Sequence, residues 1–344
     1  MAATNRLEIT GTLDLQQFWP SGSSDADTTK LLLAVDAGGV RIRRAGQAQF
    51  QPTSAYRDAV YVTGKNKDTG QVETKRLINK GVIKIRLQRI DAPELHYRPD
   101  TRGSAGALKG TGLVKEYRQH QAETAVVKLV AYLKSFGGNT LACRLTSELK
   151  AADGPGAAID KYGRFVGDVM LPEGTNLNVW LLENGLAVIA LYNSMLPHEI
   201  DESIAAWRAG RKARKGIARH YTAQFKAFEP TLIARPKDSN VQNEGARQFL
   251  HPKFYRRQAT WWAFNQAGIF KGDFSDWLTS KAETCWYLPE FQELDKKAQK
   301  YLLYERNFDG NGIGWDPEDF IFAESPSSIQ KPGAAGELVK IKQW

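Results

Sequence analysis

The chain has 344 residues, a net charge of +9 and 42% hydrophobic residues. This length predicts two domains or one large one, with enough apolar residues to bury a sizeable core. No run of about 18 apolar residues is present, which argues against a membrane-spanning helix. The two cysteines, Cys143 and Cys285, exclude a disulfide framework and lack metal-binding spacing. We therefore expect two packed, reduced thiols.

The positive charge belongs to the first two thirds of the chain. Residues 1–228 carry 32 Lys+Arg against 22 Asp+Glu, a net +10, whereas residues 229–344 carry 15 against 16, a net −1. Such a field attracts polyanions, and nucleic acid is the usual one. Because many basic proteins bind no nucleic acid, the charge alone indicates this partner only weakly.

Alternating apolar and polar residues predict strands in the first third of the chain. The predicted strands cover residues 6–15, 29–35 and 82–90. Residues 36–80, between the second and the third, form an insertion with several turn signals. Short alternating pieces at Val40–Arg43 and Val60–Val62 predict an added hairpin or two within it.

Helices and further strands follow. Residues 98–112, rich in Gly, Arg and Ser, indicate a mobile loop. An apolar face predicts a helix over Glu116–Phe136, and a short helix over Asn178–Asn184 ends at Gly185. The other predicted elements are strands at residues 140–145 and up to 171, and a basic helix at residues 201–219.

The residue composition changes after residue 228. Residues 229–247 contain two prolines and a polar run, which indicates a linker. Residues 248–324 predict a mainly helical, aromatic-rich domain, with a helix-like run at 289–304. Its tryptophans, including Trp261 and Trp262, are better explained by core packing than by stacking on bases. Residues 325–344 predict a flexible tail.

The run Arg86-Leu-Gln-Arg-Ile-Asp-Ala-Pro-Glu94 joins a strand to an acidic turn. Cleaving a phosphodiester requires cations at the phosphoryl oxygens, a positioned water and a stabilised leaving oxygen. An arginine on the strand and the carboxylates of Asp91 and Glu94 on the turn offer such groups. Taken alone, however, this pattern is more often a solvated turn at a strand end.

This run resembles the first signature of the thermonuclease (staphylococcal nuclease-like) family. In that signature an arginine lies five residues before an aspartate and eight before a glutamate. Asp160–Arg164 (Asp-Lys-Tyr-Gly-Arg) resembles the second signature, and Leu177–Ala190 resembles the third segment. Asp25–Thr28 resembles the Asp-Gly-Asp-Thr element of the family. All four occur in the family's order, and the resemblance covers residues from about 8 to 226.

The resemblance implies an α+β fold over residues 1–228, with a five-stranded OB-type barrel and packed helices. It also implies a Ca²⁺-dependent endonuclease that cleaves DNA and RNA with little sequence preference and leaves 3′-phosphates. The alternative is a non-catalytic nucleic-acid-binding scaffold, since barrels of this family also serve in that way. Loss of the arginines or of the glutamate would mark the scaffold, but all of them are present.

The resemblance assigns roles to individual residues. Three would act on the phosphate and the attacking water: Arg86, Arg164 and Glu94. The oxygen ligands of Ca²⁺ would be Asp27, Asp91 and the backbone carbonyl of Ala92, with Asp25 beside them. Contacts to the substrate would come from Lys161, Tyr162 and Tyr192.

Three further features stay open on the sequence. An EF-hand-like loop would offer a second Ca²⁺ site at Asn307, Asp309, Asn311 and Glu318, but a plain Gly/Asn turn is the alternative. The basic run at residues 208–215 is either a solvated helical face or a contact to phosphates. The C-terminal domain is a candidate site for a protein partner. The family is often exported, yet no signal peptide is visible, which favours a cytoplasmic location.

Overall fold

The computed structural model describes residues 3–19, 24–34, 39–56, 60–65, 72–99, 111–113, 116–221, 224–225, 234–236, 249–289, 300–302, 313–314, 316–324 and 327–344. No helix within these ranges is long and apolar enough to cross a membrane.

The described elements comprise helices and many short strands. The helices are α1 (Ala122–Lys134), α2 (Leu177–Glu183), α3 (Pro197–Lys212), α4 (Pro252–Gln266) and α5 (Phe274–Lys281). The strands are β1 (Thr4–Asp14), β2 (Thr28–Leu33), β3 (Val40–Arg43), β4 (Gln51–Pro52), β5 (Tyr61–Lys65), β6 (Val72–Arg76), β7 (Val82–Leu87), β8 (Ile90–Asp91), β9 (Tyr117–Gln119), β10 (Thr140–Lys150), β11 (Phe165–Met170), β12 (Val188–Ile189), β13 (Leu191–Tyr192), β14 (Gln224–Phe225), β15 (Ala234–Pro236), β16 (Thr284–Tyr287), β17 (Lys300–Leu302), β18 (Ile313–Gly314), β19 (Phe320–Phe322), β20 (Ile329–Pro332) and β21 (Leu338–Lys340).

Five strands close into a barrel in the order β10–β11–β7–β2–β1, and β1 pairs back to β10. The closing pair runs the whole length of β1, from Thr4 opposite Lys150 to Asp14 opposite Thr140. Strands β7 and β11 are parallel, whereas the other barrel pairs are antiparallel. The five-stranded OB-type barrel predicted from the resemblance is therefore confirmed.

Alternation along β1 explains how the barrel fills. Leu7, Ile9 and Leu13 point inward and are almost fully buried. Gly11 lies where β1 also pairs with β2, and a Cβ atom there would fall 2.4 Å from the carbonyl oxygen of Leu32. Only glycine allows that close approach, so β1 can pair with β10 and β2 at the same point.

The insertion at residues 36–80 supplies strands beyond the barrel. Strands β3 and β4 extend the barrel sheet from β1, and β5 and β6 form a hairpin that pairs with β20. Over its described part, the tail predicted for residues 325–344 contains strands β20 and β21, which extend this hairpin. The Trp344 indole donates to the carbonyl of Asp153 at 2.7 Å and packs edge-on against Tyr56. The composition of the tail could not predict these strands, because β20 pairs with β5, which lies far away in the sequence.

Two predicted helices have different bounds. Helix α1 begins at Ala122 rather than at Glu116, because residues 117–119 pair with β15 and Gln121 takes a left-handed φ of 68°. Helix α3 spans Pro197–Lys212 rather than 201–219, with a proline in its first turn and a left-handed residue at 214 after its end.

The C-terminal part is mixed rather than mainly helical in its described residues. Helices α4 and α5 pack with β16 and β19 around a second apolar cluster that contains Phe254, Tyr255 and Trp277. Residues 300–302, predicted as helical, form strand β17, because they pair with β16. The rest of the 289–304 run and the predicted linker lie mostly outside the described residues. Where described, residues 234–236 of that linker form β15.

The C-terminal part is joined to the barrel domain by packing and pairing. Strand β19 runs parallel to β13, and Phe249 and Ile321 belong to the main core. Two arginines of the basic face on α3 form ion pairs with the C-terminal part while staying at least partly solvent-exposed. Arg208 pairs with Glu318 at 3.0 Å, and Arg211 pairs with Asp316 at 2.7 Å.

Strand β7 ends at Leu87 and does not continue to residue 90 as predicted. Arg89 takes a left-handed φ of 72°, and its side chain is buried against Asp168, Glu199 and Glu202. The amide of buried Asn178 donates to the carbonyl of Gln88 at 2.9 Å and to Asp168. This buried network redirects the chain after β7 and so fixes the turn that follows.

We expect Arg89→Met to lower the free energy of unfolding by about 3–5 kcal/mol, because it leaves buried carboxylates without their cation. Arg208→Met removes an exposed ion pair and should cost less than about 1 kcal/mol. Urea denaturation followed by circular dichroism measures both. Equal losses for the two variants would contradict this account of the turn.

Candidate functional site

The ends of neighbouring barrel strands bring the separate sequence motifs together. In the registers of the sheet, Arg86 on β7 lies opposite Thr28 on β2 on one side and beside Val166 on β11 on the other. Strand β8 follows β7 and carries Asp91, which pairs with Val188 on β12. The barrel therefore gathers all four motifs at one end.

A chain of hydrogen bonds links the second signature to the aspartate motif. The Arg164 guanidinium donates to the hydroxyl of Thr28 at 2.8 Å, and that hydroxyl donates to Asp27 at 3.0 Å. The other carboxylate oxygen of Asp27 accepts the backbone N–H of Ala92 at 3.3 Å. Asp27 thus lies beside the turn that carries Asp91.

Asp160 organises the turn that presents Arg164. One of its carboxylate oxygens accepts the backbone N–H groups of Tyr162 at 2.9 Å and Arg164 at 3.0 Å. The other oxygen accepts the Arg164 side chain at 2.7 Å. Gly163 completes the turn with a φ of 77°, a conformation that favours glycine. Arg164 is therefore held in place by its own motif.

The predicted substrate residues Lys161 and Tyr162 lie on this turn at the surface. The Tyr162 side chain is 39% exposed. The cationic groups of Lys161 and Arg164 lie 5.1 Å and 5.4 Å from its ring centroid. Their exposure beside Arg164 is compatible with contact to a neighbouring phosphate.

Asp25 and Gln119 fix the backbone around Glu94. The Asp25 carboxylate accepts the N–H of Leu95 at 2.6 Å. The side chain of Gln119 accepts the N–H of Glu94 at 3.2 Å, and the Gln119 N–H donates to the Glu94 carbonyl at 2.7 Å. The turn is therefore held on both sides of the glutamate.

Arg86 is held by Tyr192. The guanidinium donates to the Tyr192 hydroxyl and lies 4.7 Å from the centre of its ring. The Arg86 side chain is largely buried and Tyr192 is partly buried, and β13 places Tyr192 three residues after the end of β12. The sequence placed Tyr192 near the substrate, and the structure shows it in direct contact with Arg86.

The family comparison agrees with this geometry. Residues 84–219 match the profile of the family described as Staphylococcal nuclease homologue. This matched region, which carries barrel strands β10 and β11 and most of β7, is staphylococcal nuclease-like. The matched region contains the first, second and third segments of the resemblance, whereas Asp25 and Asp27 lie before it. No match to the chain was found among curated proteins.

Arg256 on α4 reaches the nuclease-like site from the C-terminal part. Its guanidinium binds both carboxylate oxygens of Asp91, at 3.1 Å and 2.8 Å, and also contacts Glu94. A second charged group, Glu324 just after β19, lies 3.8 Å from Arg86 and accepts the hydroxyl of Ser194. The sequence did not predict either residue, because only the tertiary fold brings them to the barrel.

The buried charges shift one another's titration. Burial alone raises the pKa of Asp91, but the charge and hydrogen bonds of Arg256, together with His251 and Arg86, lower that pKa to about 2. Burial raises the pKa of Asp27, and the nearby Asp91 adds to the rise. Burial also raises the pKa of Asp25 and of Glu94, although Arg256 opposes both shifts. Carboxylates this close require cations to stay ionised.

The chemistry of the donors near Asp27 suits a hard cation. Asp27 and Asp91 are buried carboxylates that repel each other, and Asp27 accepts the backbone N–H of Ala92, the residue that follows Asp91. Arg256 is the cation that holds Asp91 in this structure. Within the described ranges, no group of three or more His, Cys, Asp or Glu side chains is arranged to hold a metal ion. The two carboxylates and one carbonyl that the resemblance implies for Ca²⁺ therefore stay a prediction.

The second predicted Ca²⁺ site falls mainly on residues that the structure does not describe. Asn307, Asp309 and Asn311 lie outside the described ranges. Glu318, which would close the loop, instead forms an ion pair with Arg208. The loop therefore stays a prediction.

We expect Asp160→Ala to speed amide hydrogen exchange at Tyr162 and Arg164 by up to about tenfold, because each loses a bond to the carboxylate. NMR exchange measurements test this. Asp153→Ala is a matched control, since Asp153 accepts the Lys150 N–H in a different turn. Unchanged exchange in the Asp160 variant would show that the carboxylate does not hold the turn.

Proposed function

We propose that the protein is an endonuclease that hydrolyses phosphodiester bonds of DNA or RNA with Ca²⁺ and leaves 3′-phosphates. A staphylococcal nuclease-like domain is a nuclease or a nucleic-acid-binding module. The observation that carries the catalytic proposal is the convergence of Arg86, Arg164 and Glu94 on one end of the barrel. An excess of positive charge over residues 1–228 favours a polyanionic substrate.

The two arginines are suited to clamp the scissile phosphate. Arg86 is held by Tyr192 and Arg164 by Asp160, so neither guanidinium has to reorganise as charge develops on the phosphoryl oxygens. Arginine also matches phosphate with paired N–H donors. Preorganised donors of this kind stabilise the transition state more than the ground state.

Glu94 is suited to position the attacking water. Its backbone is fixed by Gln119 and its carboxylate lies in the same buried cluster as Asp91. In the proposed reaction the water oxygen bonds to phosphorus and Glu94 accepts its proton. The bond from phosphorus to the 5′-oxygen breaks, and that oxygen takes a proton from solvent. The phosphate then remains on the 3′ side, as the resemblance implies.

The proposed ligands of Ca²⁺ are Asp27, Asp91 and the backbone carbonyl of Ala92, with Asp25 supporting the turn beside them. A bound ion supplies positive charge that neutralises the phosphoryl oxygens. The chain's own part is to hold the Asp27 carboxylate beside the turn that carries Asp91, through the contacts of Thr28 and Ala92 with Asp27.

One observation favours the alternative of a non-catalytic binding module. Arg256 engages the carboxylates of both Asp91 and Glu94, which a nuclease needs for metal and water. Under that alternative the protein binds nucleic acid without cutting it. A protein partner for the C-terminal part stays a prediction of the sequence.

We expect Glu94→Gln, Arg86→Gln and Arg164→Gln each to reduce plasmid cleavage by at least about 100-fold, because each removes a group that acts in the transition state. Glu173→Gln, a change at an exposed turn, should cleave like the wild type. Cleavage is followed by gel electrophoresis, with thermal unfolding as a check on folding. Equal cleavage by all five proteins would contradict the mechanism, and binding without cleavage by the wild type would support the scaffold.

Cleavage should stop when Ca²⁺ is chelated and return when Ca²⁺ is restored. Asp27→Asn should raise the Ca²⁺ concentration needed for half-maximal cleavage by at least about tenfold, because it removes a charged ligand. Asp201→Asn, on the exposed side of α3, is the control. The fragments should carry 3′-phosphates, which block extension by a polymerase until a phosphatase removes them. Undiminished cleavage in chelator would contradict the Ca²⁺ requirement.

A further inference from the structure

Two charged side chains of the C-terminal part face the site, and each meets the opposite charge. Arg256 lies on the acidic half, against Asp91 and Glu94. Glu324 lies on the basic half, against Arg86. Arg256 carries a positive charge, as a metal cation does, and Glu324 carries a negative charge, as a phosphate does. A nuclease site binds both of those groups. The contacts come from separate elements, α4 and the end of β19.

The helix that carries Arg256 is firmly attached to the barrel domain. The Tyr97 hydroxyl donates to the backbone carbonyl of Arg256 at 2.8 Å, and the Gln119 side chain donates to the carbonyl of Leu250. Tyr255, the preceding residue on α4, is fully buried. His251 caps the helix by accepting the N–H of Lys253 at 3.1 Å. The position of the guanidinium is therefore set by packing as well as by charge.

Arg256 binds both oxygens of the Asp91 carboxylate. The two guanidinium nitrogens bind the two oxygens in a fork, the geometry that makes arginine–carboxylate pairs strong. Only 4% of the Asp91 side chain is exposed, so water competes little for it. A divalent ion at the same oxygens would meet the guanidinium within van der Waals distance and repel it.

We propose that Arg256 is an internal cation at this site, and that it and Ca²⁺ exclude each other at Asp91. The C-terminal part then sets how much Ca²⁺ the site requires. Ca²⁺ binds Asp91 only when the guanidinium leaves it, so the affinity for the ion is lowered by the strength of the ion pair. This inference deepens the proposed function because it concerns the same ligand, but its first test does not depend on cleavage.

The test is calorimetric titration of the full chain with Ca²⁺ alone. Arg256→Gln should bind Ca²⁺ at least about tenfold more tightly than the wild type, since a competing buried charge is gone. Arg256→Lys, which keeps the charge but not the fork, should fall between the two. Arg257→Gln is the matched control, because this neighbour pairs with Glu283 and not with the site. It should bind Ca²⁺ like the wild type.

Thermal unfolding without Ca²⁺ establishes that each variant is folded, and the lysine variant carries the test if the glutamine variant is not. Equal or weaker Ca²⁺ binding by a folded Arg256 variant overturns the inference, as does equal tightening by Arg257→Gln. The Ca²⁺ concentration for half-maximal plasmid cleavage should shift in parallel with the affinity. If the Arg256 variants bind Ca²⁺ more tightly but no protein cleaves the plasmid, the proposed nuclease function is contradicted and the inference is supported. If the proteins cleave the plasmid but the Arg256 variants show no change in Ca²⁺ affinity, the function is supported and the inference is contradicted.

Discussion

The arrangement of this site depends on compensating buried negative charge. Asp25, Asp27, Asp91 and Glu94 lie together at one end of the barrel, and burial raises the pKa of most of them. Charges so close stay ionised only beside cations, since a low-dielectric interior does not screen them. Arg86, Arg164 and Arg256 meet that need. Each arginine comes from a different part of the fold, so the charge requirement ties the parts to one another.

The backbone of the barrel places these charges, and other buried polar groups hold that backbone. Arg89 turns the chain after β7 by binding Asp168 and Glu199, and Asn178 fixes the adjoining carbonyl of Gln88. Arg86 and Arg89, which belong to the same short run, thus have different roles. Arg86 faces the proposed substrate, whereas Arg89 stabilises the turn. Arg86 lies within β7, whereas Arg89 lies after its end and itself takes the left-handed φ of 72° that turns the chain.

Much of the barrel domain follows from local sequence. Alternation predicts β1, β2 and β7, and the spacing within each motif predicts which groups of that motif lie together. Several of the unpredicted parts depend on long-range contacts. Residues 117–119 pair with the distant strand β15, and strand β20 of the tail pairs with the distant strand β5. Arg256 stands in a helix with no signal of its role, because its partner Asp91 is 165 residues away.

The most direct test of the account is a crystal structure of the wild-type protein with a short phosphorothioate oligonucleotide, whose slow hydrolysis preserves the bound state. The account predicts a phosphate group within hydrogen-bond distance of both Arg86 and Arg164, with the Glu324 carboxylate displaced from Arg86. An oligonucleotide bound elsewhere, with Glu324 still facing Arg86, would contradict it.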